Sequence, residues 1–286
     1  MRFTLLGVIL GGFFAAPPLA GAGAEGPQLP GKPPAYFQYL GDRGLSTVPN
    51  AQAIVPRFWA PGLDDDYTPQ GLAVAGGQVH MVGYGPGGCK LFSLSTTDGT
   101  QRAPLDIPAC KHGGGLAALG DGRFVLIDTR ALFVIENGAV RHRITLAKPL
   151  NGSFGDFDGA DLWIGSYERD QPGRIWRIPL SALTKDAIAE SDATASAPIP
   201  QRAQGMAFAH RSLWLTFSGS SFGRIARIDP GTGQEIKSYA MPAGIEDIGV
   251  ADDGLIWAVS EAGAKKYIGW NTIYPLIFTI DPAKLK

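Results

Sequence analysis

The sequence predicts an all-β fold, a five-bladed β-propeller with four-stranded antiparallel blades whose last blade is closed by an N-terminal strand. Three observations lead to this prediction: a repeat of about 44 residues, a strand–turn–strand pattern within each repeat, and a lone strand ahead of the first repeat. The composition agrees, because glycine accounts for 39 of 286 residues and charged residues for only 18%. The formal net charge of -1 gives no reason to expect nucleic acid as a partner.

The first 24 residues have the features of a signal peptide. Arg2 precedes an uncharged run over 4–16, and small residues up to Ala24 offer a cleavage site with no cysteine nearby. We therefore expect a secreted or periplasmic protein that is neither a lipoprotein nor inserted in a membrane. Residues 25–52 are rich in proline and are expected to form a linker before a propeller at 53–286.

Five segments begin the repeats, and each combines an apolar strand, a turn of Gly, Asp or Ser, and a second apolar strand. They are QGLAVAGGQVHMVGY (70–84), GGLAALGDGRFVLID (114–128), SFGDFDGADLWIGSY (153–167), QGMAFAHRSLWLTFS (204–218) and EDIGVADDGLIWAVS (246–260). A third strand follows in each unit, and in four units a fourth strand ends at a proline. The fifth unit has no fourth strand of its own. The isolated segment 53–61 is therefore expected to supply it and to close the ring.

Two features leave alternatives open. Residues 25–52 could hide a further strand, which would change the number of blades, and a β-sandwich with chance internal similarity remains the alternative fold. The longest insertion, at 181–199, is rich in Ala and Ser. We expect it to be a surface loop, with room for one short helix, between the third and fourth strands of the third blade.

The two cysteines, Cys89 and Cys110, are predicted to form a disulfide. Cys89 precedes the third strand of the first blade, and Cys110 follows the fourth. Those strands are antiparallel neighbours, so both cysteines fall at the same end of one blade, within reach of a bond. Export to an oxidising compartment would let the bond persist.

In propellers as a class, the loops that enter strand one and those that join strands two and three share one face, where ligands usually meet the channel mouth. His112, Glu246 and Asp247 are predicted on this face as catalytic acids or bases. The acidic triplet on the same face could bind either Ca²⁺ or Mg²⁺ through carboxylate oxygens; it consists of Asp64, Asp65 and Asp66. The candidate ligand-binding residues of the face are Tyr67, Tyr84, Asp128, Arg130, Gln204, Glu261 and Trp270.

The fourth unit, QGMAFAHRSLWLTFSGSSFGRIARIDPGTGQEIKSYAMP, resembles the repeats of streptogramin-lyase-like and NHL-type propellers. It shares G-[IM]-A, LW after the turn and RIDP-x-TG, and the pattern extends over about 53–286. These motifs imply a fold and no particular activity. The lyases are usually seven-bladed and metal-dependent, so five units depart from their pattern. YTPQGLAV (67–74) also resembles the F-T-Q-G-L opening of secreted glutamine cyclotransferases, with Pro69 interrupting the match.

No complete catalytic motif accompanies this fold. The spelling G-x-S-x-G at 219–223 is followed by the strand-like RIARI, whereas a nucleophile elbow needs a helix there. We therefore expect a monomeric exported protein that binds a small molecule, glycan or peptide at the channel mouth. The alternative is a metal-assisted lyase, hydrolase or glutaminyl-cyclase-like enzyme using the same face, and a third hypothesis is a protein-interaction scaffold.

Overall fold

A computed structural model describes residues 29–40, 43–209 and 212–286. The signal peptide predicted over 1–24 lies outside the described residues, as does the beginning of the predicted linker. The described chain forms five blades, each built on four antiparallel strands with one further strand added to blade 2, and successive inner strands pack against one another in a ring. The predicted five-bladed β-propeller is confirmed.

The strands are numbered in chain order. Blade 1 contains β2 (Thr68–Ala75), β3 (Gln78–Gly85), β4 (Gly88–Ser95) and β5 (Leu105–Ile107). Blade 2 contains β6 (Gly115–Gly120), β7 (Arg123–Asp128), β8 (Ala131–Glu136) and β9 (Ala139–Leu146). Blade 3 contains β10 (Phe154–Phe157), β11 (Asp161–Gly165), β12 (Gly173–Pro179) and β14 (Ala195–Ile199). Blade 4 contains β15 (Ala203–Ala209), β16 (Ser212–Ser218), β17 (Gly223–Ile228) and β18 (Glu235–Met241). Blade 5 contains β19 (Ile245–Val250), β20 (Ile256–Ser260), β21 (Leu276–Ile280) and β1 (Ile54–Trp59).

Short 3₁₀ helices occupy several connections of the described chain. They are Ala35–Leu40, Ala51–Ala53, Leu63–Asp65, Leu180–Thr184, Glu190–Asp192, Lys265–Tyr267 and Pro282–Lys284. Within the described residues, no helix has both the length and the apolar character needed to cross a membrane.

The ring is closed by β1, as the sequence predicted. This strand pairs antiparallel with β21, with Ile54 opposite Ile280 and Trp59 opposite Leu276. Phe58 is buried and stacks on Trp257 of β20, the strand beyond β21 in the same blade, with ring centroids 6.0 Å apart. Burying such a side chain stabilises the closed ring by roughly 1.5–3 kcal/mol. The two ends of the described propeller are thus joined by both a β-ladder and an apolar contact.

Glycines on the inner strands allow the blades to meet closely around the axis. A Cβ on Gly71 would lie 2.8 Å from the carbonyl carbon of Gly115 in the next blade. A Cβ on Gly205 would lie 2.5 Å from the Cα of Asp247. Any larger residue would collide with backbone at these positions, so the Q-G-L, G-G-L and Q-G-M openings of the repeats reflect close packing at the centre.

The core lies between the blades. The tryptophan of the second strand in blades 3, 4 and 5 belongs each time to a cluster that joins its own blade to the next. Trp163 packs with Met206 of blade 4, Trp214 with Ile248 of blade 5, and Trp257 shares a cluster with blade 1. The repeated tryptophans therefore pack between blades, as their register in the repeats predicts.

The long insertion differs from the predicted surface loop. After the 3₁₀ helix Leu180–Thr184, the two-residue strand β13 (Ala187–Ile188) pairs in parallel with β9 and becomes a fifth strand at the edge of blade 2. Ile188 is fully buried among the apolar residues of blade 2. The prediction of a loop was wrong at these two residues. The apolar side chain of Ile188 is buried against the edge of blade 2, and this contact brings the backbone into register with β9.

The described part of the predicted linker packs over the closure of the ring. Phe37 meets Trp59 edge-on at 5.0 Å between ring centroids, and the Tyr36 hydroxyl donates to the Gly263 carbonyl at 2.9 Å. No strand lies in the described residues between 29 and 53. The segment therefore adds no blade, and it holds the loop that follows β20.

Candidate functional site

A pair of buried glutamates lies at the mouth of the central channel. Glu246 is at the start of the inner strand β19, and Glu261 directly follows β20, so both come from the mouth end of blade 5. Their side chains are hydrogen-bonded to each other, and the two residues are only 2% and 6% exposed. Ser260 helps to turn the chain here, since its Oγ accepts from the Ala262 N–H and lies 3.2 Å from the Ala243 carbonyl, to which it donates.

Two carboxamides from other blades complete the contacts of this pair. Gln70 of β2 donates from Nε2 to Glu261 Oε2 at 2.9 Å, and Gln204 of β15 donates to Glu246 Oε1 at 3.2 Å. Gln70 is itself buried, and its Nε2 also donates to the Pro69 carbonyl. Blades 1, 4 and 5 thus meet in one polar cluster, which we call the carboxyl cluster: Gln70, Gln204, Glu246 and Glu261.

The carboxyl cluster can hold a proton near neutral pH. Burial raises the pKa of Glu261 to about 7. Burial also raises the pKa of Glu246 well above its usual range, and the neighbouring Glu261 carboxylate adds to that effect. Two buried carboxyl groups in contact with each other disfavour joint ionisation, because the like charges repel. A carboxyl pair that shares a proton at neutral pH can donate or accept one in chemistry.

A chain of hydroxyl and ammonium groups connects the carboxyl cluster to the surface. The Tyr267 hydroxyl is hydrogen-bonded to Glu261 and to Tyr84. Lys266 Nζ in turn donates to the Tyr84 hydroxyl. Burial raises the pKa of the Tyr267 phenol, so it remains a donor at neutral pH. Beside this chain lies an open cavity of about 420 Å³, lined by Asp66, Thr68, Tyr84, Gly85, Pro86, Lys265 and Lys266.

Asp247 lies in the channel and holds the blades together. Its Oδ2 accepts from the Leu72 and Leu116 N–H groups at 2.9 and 3.2 Å, and its Oδ1 accepts from the Met206 N–H at 3.1 Å. These donors belong to the inner strands of blades 1, 2 and 4. Burial raises the pKa of Asp247, and the backbone N–H groups oppose that effect. The contacts are structural, and the catalytic role predicted for Asp247 stays a prediction.

His112 is brought to the same mouth by a loop that Asp128 organises. Asp128 is buried and accepts from the backbone N–H groups of Lys111, His112 and Gly113 at 3.0, 2.7 and 3.1 Å. The His112 ring lies 5.2 Å from the Tyr84 ring, centroid to centroid, and burial lowers its pKa. His112 is therefore a neutral imidazole beside the chain that leads to Glu261.

The predicted disulfide closes this loop at its other end. Cys89 and Cys110 are bonded, with their Cα atoms 5.4 Å apart, and both residues are buried. The bond joins the start of β4 to the loop that carries His112. The prediction of the pair from strand order is confirmed.

The remaining predicted ligand residues divide into two groups. The Trp270 ring packs against the Tyr267 ring, with centroids 4.4 Å apart, and so lies next to the carboxyl cluster. Tyr67 is buried and donates from its hydroxyl to the Pro86 carbonyl at 3.0 Å. Arg130 donates to the Leu150 carbonyl and so supports a neighbouring loop. Tyr84, Gln204, Glu261 and Trp270 are thus brought together, whereas the other three lie in loop contacts.

The acidic triplet is spread over separate contacts. Asp64 and Asp65 end the 3₁₀ helix Leu63–Asp65, where Asp64 Oδ1 accepts from the Ala35 N–H at 2.6 Å. Asp66 forms an ion pair with Lys265 at 2.8 Å. Among the described residues, no three His, Cys, Asp or Glu side chains are grouped so as to hold a metal ion. The Ca²⁺ or Mg²⁺ site predicted here stays a prediction.

Gln70, Lys266 and Tyr267 belong to the site but were not predicted as its residues. A signal for Gln70 exists in the sequence, because Gln70 and Gln204 precede the same glycine in Q-G-L and Q-G-M. Aligning the repeats would have placed both carboxamides on inner strands at the mouth. Lys266 and Tyr267 lie in the irregular loop that follows β20, which the repeat places on the mouth face without revealing the contacts of its side chains.

Comparison with known proteins supports the fold. No protein family and no curated protein matches the sequence. Among solved structures, the glutaminyl cyclase of Myxococcus xanthus aligns with 76% of this chain and 90% of its own, at 13% identity and a TM-score of 0.53. The PQQ-bound aldose sugar dehydrogenase of Streptomyces coelicolor aligns with 68% of this chain and 74% of its own, at 16% identity and a TM-score of 0.44. At 13% identity, the likeness to the cyclase shows a shared β-propeller fold alone, in agreement with the resemblance of the repeats.

Proposed function

We propose that the channel mouth binds a small ligand that presents an ammonium or amide N–H group to Glu246 and Glu261. The observation that supports this is the burial of two adjacent carboxyl groups, which costs stability and is an arrangement typical of functional sites. Among the described residues, no lysine or arginine nitrogen lies within 4.0 Å of either carboxylate. Lys266 acts on Glu261 without a direct ion pair, and a ligand cation would supply a positive group in contact with the carboxylates.

The chemistry around the pair favours a ligand with both amine and carbonyl groups, such as the amino terminus of a short peptide. His112 and Lys266 offer N–H groups that can donate to carbonyl oxygens. Lys266 adds a positive charge at the exposed end of the polar chain. We also propose that the protein acts after export, which is supported by the disulfide, since such bonds persist in oxidising compartments.

Calorimetric titration with the peptide Gln-Ala-Ala and its N-acetylated form tests the proposal. We expect saturable binding of the free amine only, weakened at least about tenfold by Glu261→Gln, because hydrogen bonds to charged groups contribute about 1.5–3 kcal/mol. Glu136→Gln, on the opposite face, is the matched control. Equal binding of the acetylated peptide, or no loss in Glu261→Gln, would show that the carboxyl cluster is not an amine site.

A second candidate function is cyclisation of an amino-terminal glutamine. Two observations favour it: the structural likeness to a glutaminyl cyclase at a TM-score of 0.53, and a carboxyl group with a pKa of about 7. In that reaction the amine nitrogen forms a bond to the side-chain amide carbon, and the amide nitrogen leaves as ammonia. The pair would take a proton from the amine and return one to the departing ammonia.

Mass spectrometry of Gln-Ala-Ala after incubation separates the two functions. Loss of ammonia that depends on Glu261 would support the enzyme, and loss of turnover with chelator would add a metal to it. Binding without conversion would support the ligand-binding function instead. Asn-Ala-Ala serves as the substrate control, since its shorter side chain does not form the same five-membered ring.

A further inference from the structure

A groove of about 600 Å³ lies between blades 1 and 2, on the face opposite the channel mouth. The turns that join β2 to β3, β6 to β7 and β8 to β9 contribute to its rim, including Gly76, Gly122 and Asn137. A volume of this size suits a single small organic molecule. The groove shares no lining residue with the carboxyl cluster or its neighbouring cavity.

The walls of the groove are apolar and come from both blades. Leu91 and Leu105 are paired across β4 and β5 in blade 1, and Phe124 and Ile135 are paired across β7 and β8 in blade 2. Leu91, Phe124 and Ile135 are buried in one apolar cluster, and the partly buried Leu105 packs against it. The walls can therefore hold an apolar body without rearrangement of the blades.

His80 forms a fixed polar point in the groove. It is only 7% exposed, its Nδ1 lies 2.8 Å from Ser93 Oγ across β3 and β4, and its ring meets Phe124 at 4.5 Å between centroids. Burial lowers the pKa of His80 to about 4, so the ring is neutral at physiological pH. Because the ring is also hydrogen-bonded to the backbone of Ala75, the uncharged group that the His80–Ser93 pair offers to a ligand is the Ser93 hydroxyl.

Arg102 provides the charge of the groove. The side-chain amide of Gln78 is oriented with its oxygen toward the Arg102 guanidinium. That oxygen accepts from Arg102 Nε at 2.8 Å and from Nη2 at 3.2 Å. The guanidinium is thereby held by a neutral side chain, and within the described residues it forms no ion pair with a carboxylate. None of the residues that line the groove is acidic. The groove therefore combines one positive charge with apolar walls.

We propose that this groove binds a small amphipathic carboxylate, whose anionic group pairs with Arg102 while its apolar body packs between Leu91 and Phe124. An arginine presents a planar fork that matches a carboxylate, and charge-assisted hydrogen bonds of this kind are about twice as strong as neutral ones. The His80–Ser93 pair adds a hydrogen-bonding point beside the apolar body. This ligand site is independent of the function proposed for the channel mouth.

The test uses 4-fluorophenylacetate as the probe and 4-fluorophenylacetamide as its uncharged match. Fluorine NMR titrations measure the affinity of each for the whole protein. The charge-removing variant is Arg102→Gln, at an exposed position, and the matched control is Arg141→Gln on the outer strand of blade 2. Isoleucine methyl spectra locate the probe, since Ile135 lines the groove and Ile245 lies near the mouth.

We expect saturable binding of the carboxylate, at least about tenfold weaker binding of the carboxamide, and a similar loss in Arg102→Gln but not in Arg141→Gln. The Ile135 signal should shift and the Ile245 signal should not. Three results would overturn the proposal: no saturable binding of the carboxylate, equal affinity for both probes, or equal effects of the two arginine variants. Because the probe comparison needs no mutation, the proposal remains testable if a variant is unstable.

Discussion

Replacing Asp247 should reveal how much stability the centre of the ring draws from one carboxylate. In Asp247→Ala, the N–H groups of Leu72, Leu116 and Met206 lose their acceptor while remaining buried. Each unsatisfied buried donor costs about 1–3 kcal/mol, so the loss should be about 3–9 kcal/mol. A domain with a total stability of about 5–15 kcal/mol would be severely destabilised.

Asp247→Asn gives a graded version of the same perturbation. The Leu72 and Leu116 N–H groups share Oδ2, whereas the Met206 N–H uses Oδ1. If the asparagine oxygen takes the Oδ2 position, one donor faces the new amide N–H₂, and the expected loss is about 1–3 kcal/mol. The conservative variant should therefore lose about a third as much stability as the alanine variant.

Urea denaturation followed by tryptophan fluorescence measures both losses. Asp252→Ala, at an exposed aspartate in the turn after the same inner strand, is the control and should change stability by under about 0.5 kcal/mol. Equal losses in the asparagine and alanine variants, or losses below about 1 kcal/mol in both, would refute the role of Asp247 as a hydrogen-bonding centre.

Three other predictions concern buried acids, the buried histidine and the disulfide. The pKa of Glu261 is about 7 in the folded protein and ordinarily 4.5. Between pH 4.5 and 7, the folded state therefore binds more protons than the unfolded state does. Relative to Glu261→Gln, the wild-type free energy of unfolding should therefore fall by about 3 kcal/mol as pH rises from 4.5 to 7; urea titrations across pH check this, and parallel curves would contradict it. The pKa of His80, about 4 against 6.5, has the opposite effect. Relative to His80→Gln, the wild-type free energy of unfolding should fall by about 3 kcal/mol as pH decreases from 6.5 to 4. Acid unfolding of both proteins checks this, and equal midpoints for the wild type and His80→Gln would count against it. Removing the bond between Cys89 and Cys110, 21 residues apart, by a double serine substitution should cost about 3 kcal/mol in the loop-entropy model; an unchanged thermal midpoint would show that the bond adds no stability.

Most of the fold could be predicted from the repeat. Strand order, the closing strand β1 and the Cys89–Cys110 bond all follow from a period of about 44 residues, because each unit must bury its apolar faces against its neighbours. The edge strand at Ile188 could not be predicted in this way. It lies outside the repeat, and its partner β9 is set by a contact between two different blades.

The candidate site was predicted only in part. Register in the repeats placed Gln204, Glu246 and Asp247 at the mouth, since all three begin an inner strand. Register did not distinguish Glu246, whose carboxyl group contacts Glu261, from Asp247, whose carboxylate accepts hydrogen bonds from three inner strands. The register of β19 shifts between Ile245 and Ile248, so alternation along the strand does not assign these two side chains, and only the packed ring shows what surrounds each of them.

The sequence by itself determined that this chain is a five-unit ring closed by its own N-terminal strand, because periodic apolar strands and turn residues are local signals. The tertiary structure decided which groups share a proton and which hold the blades together. Glu246, Glu261, Gln70 and Gln204 come from three blades and distant parts of the chain. Their burial and mutual distances arise only when the ring closes, and those two quantities set the pKa values on which the proposed chemistry depends.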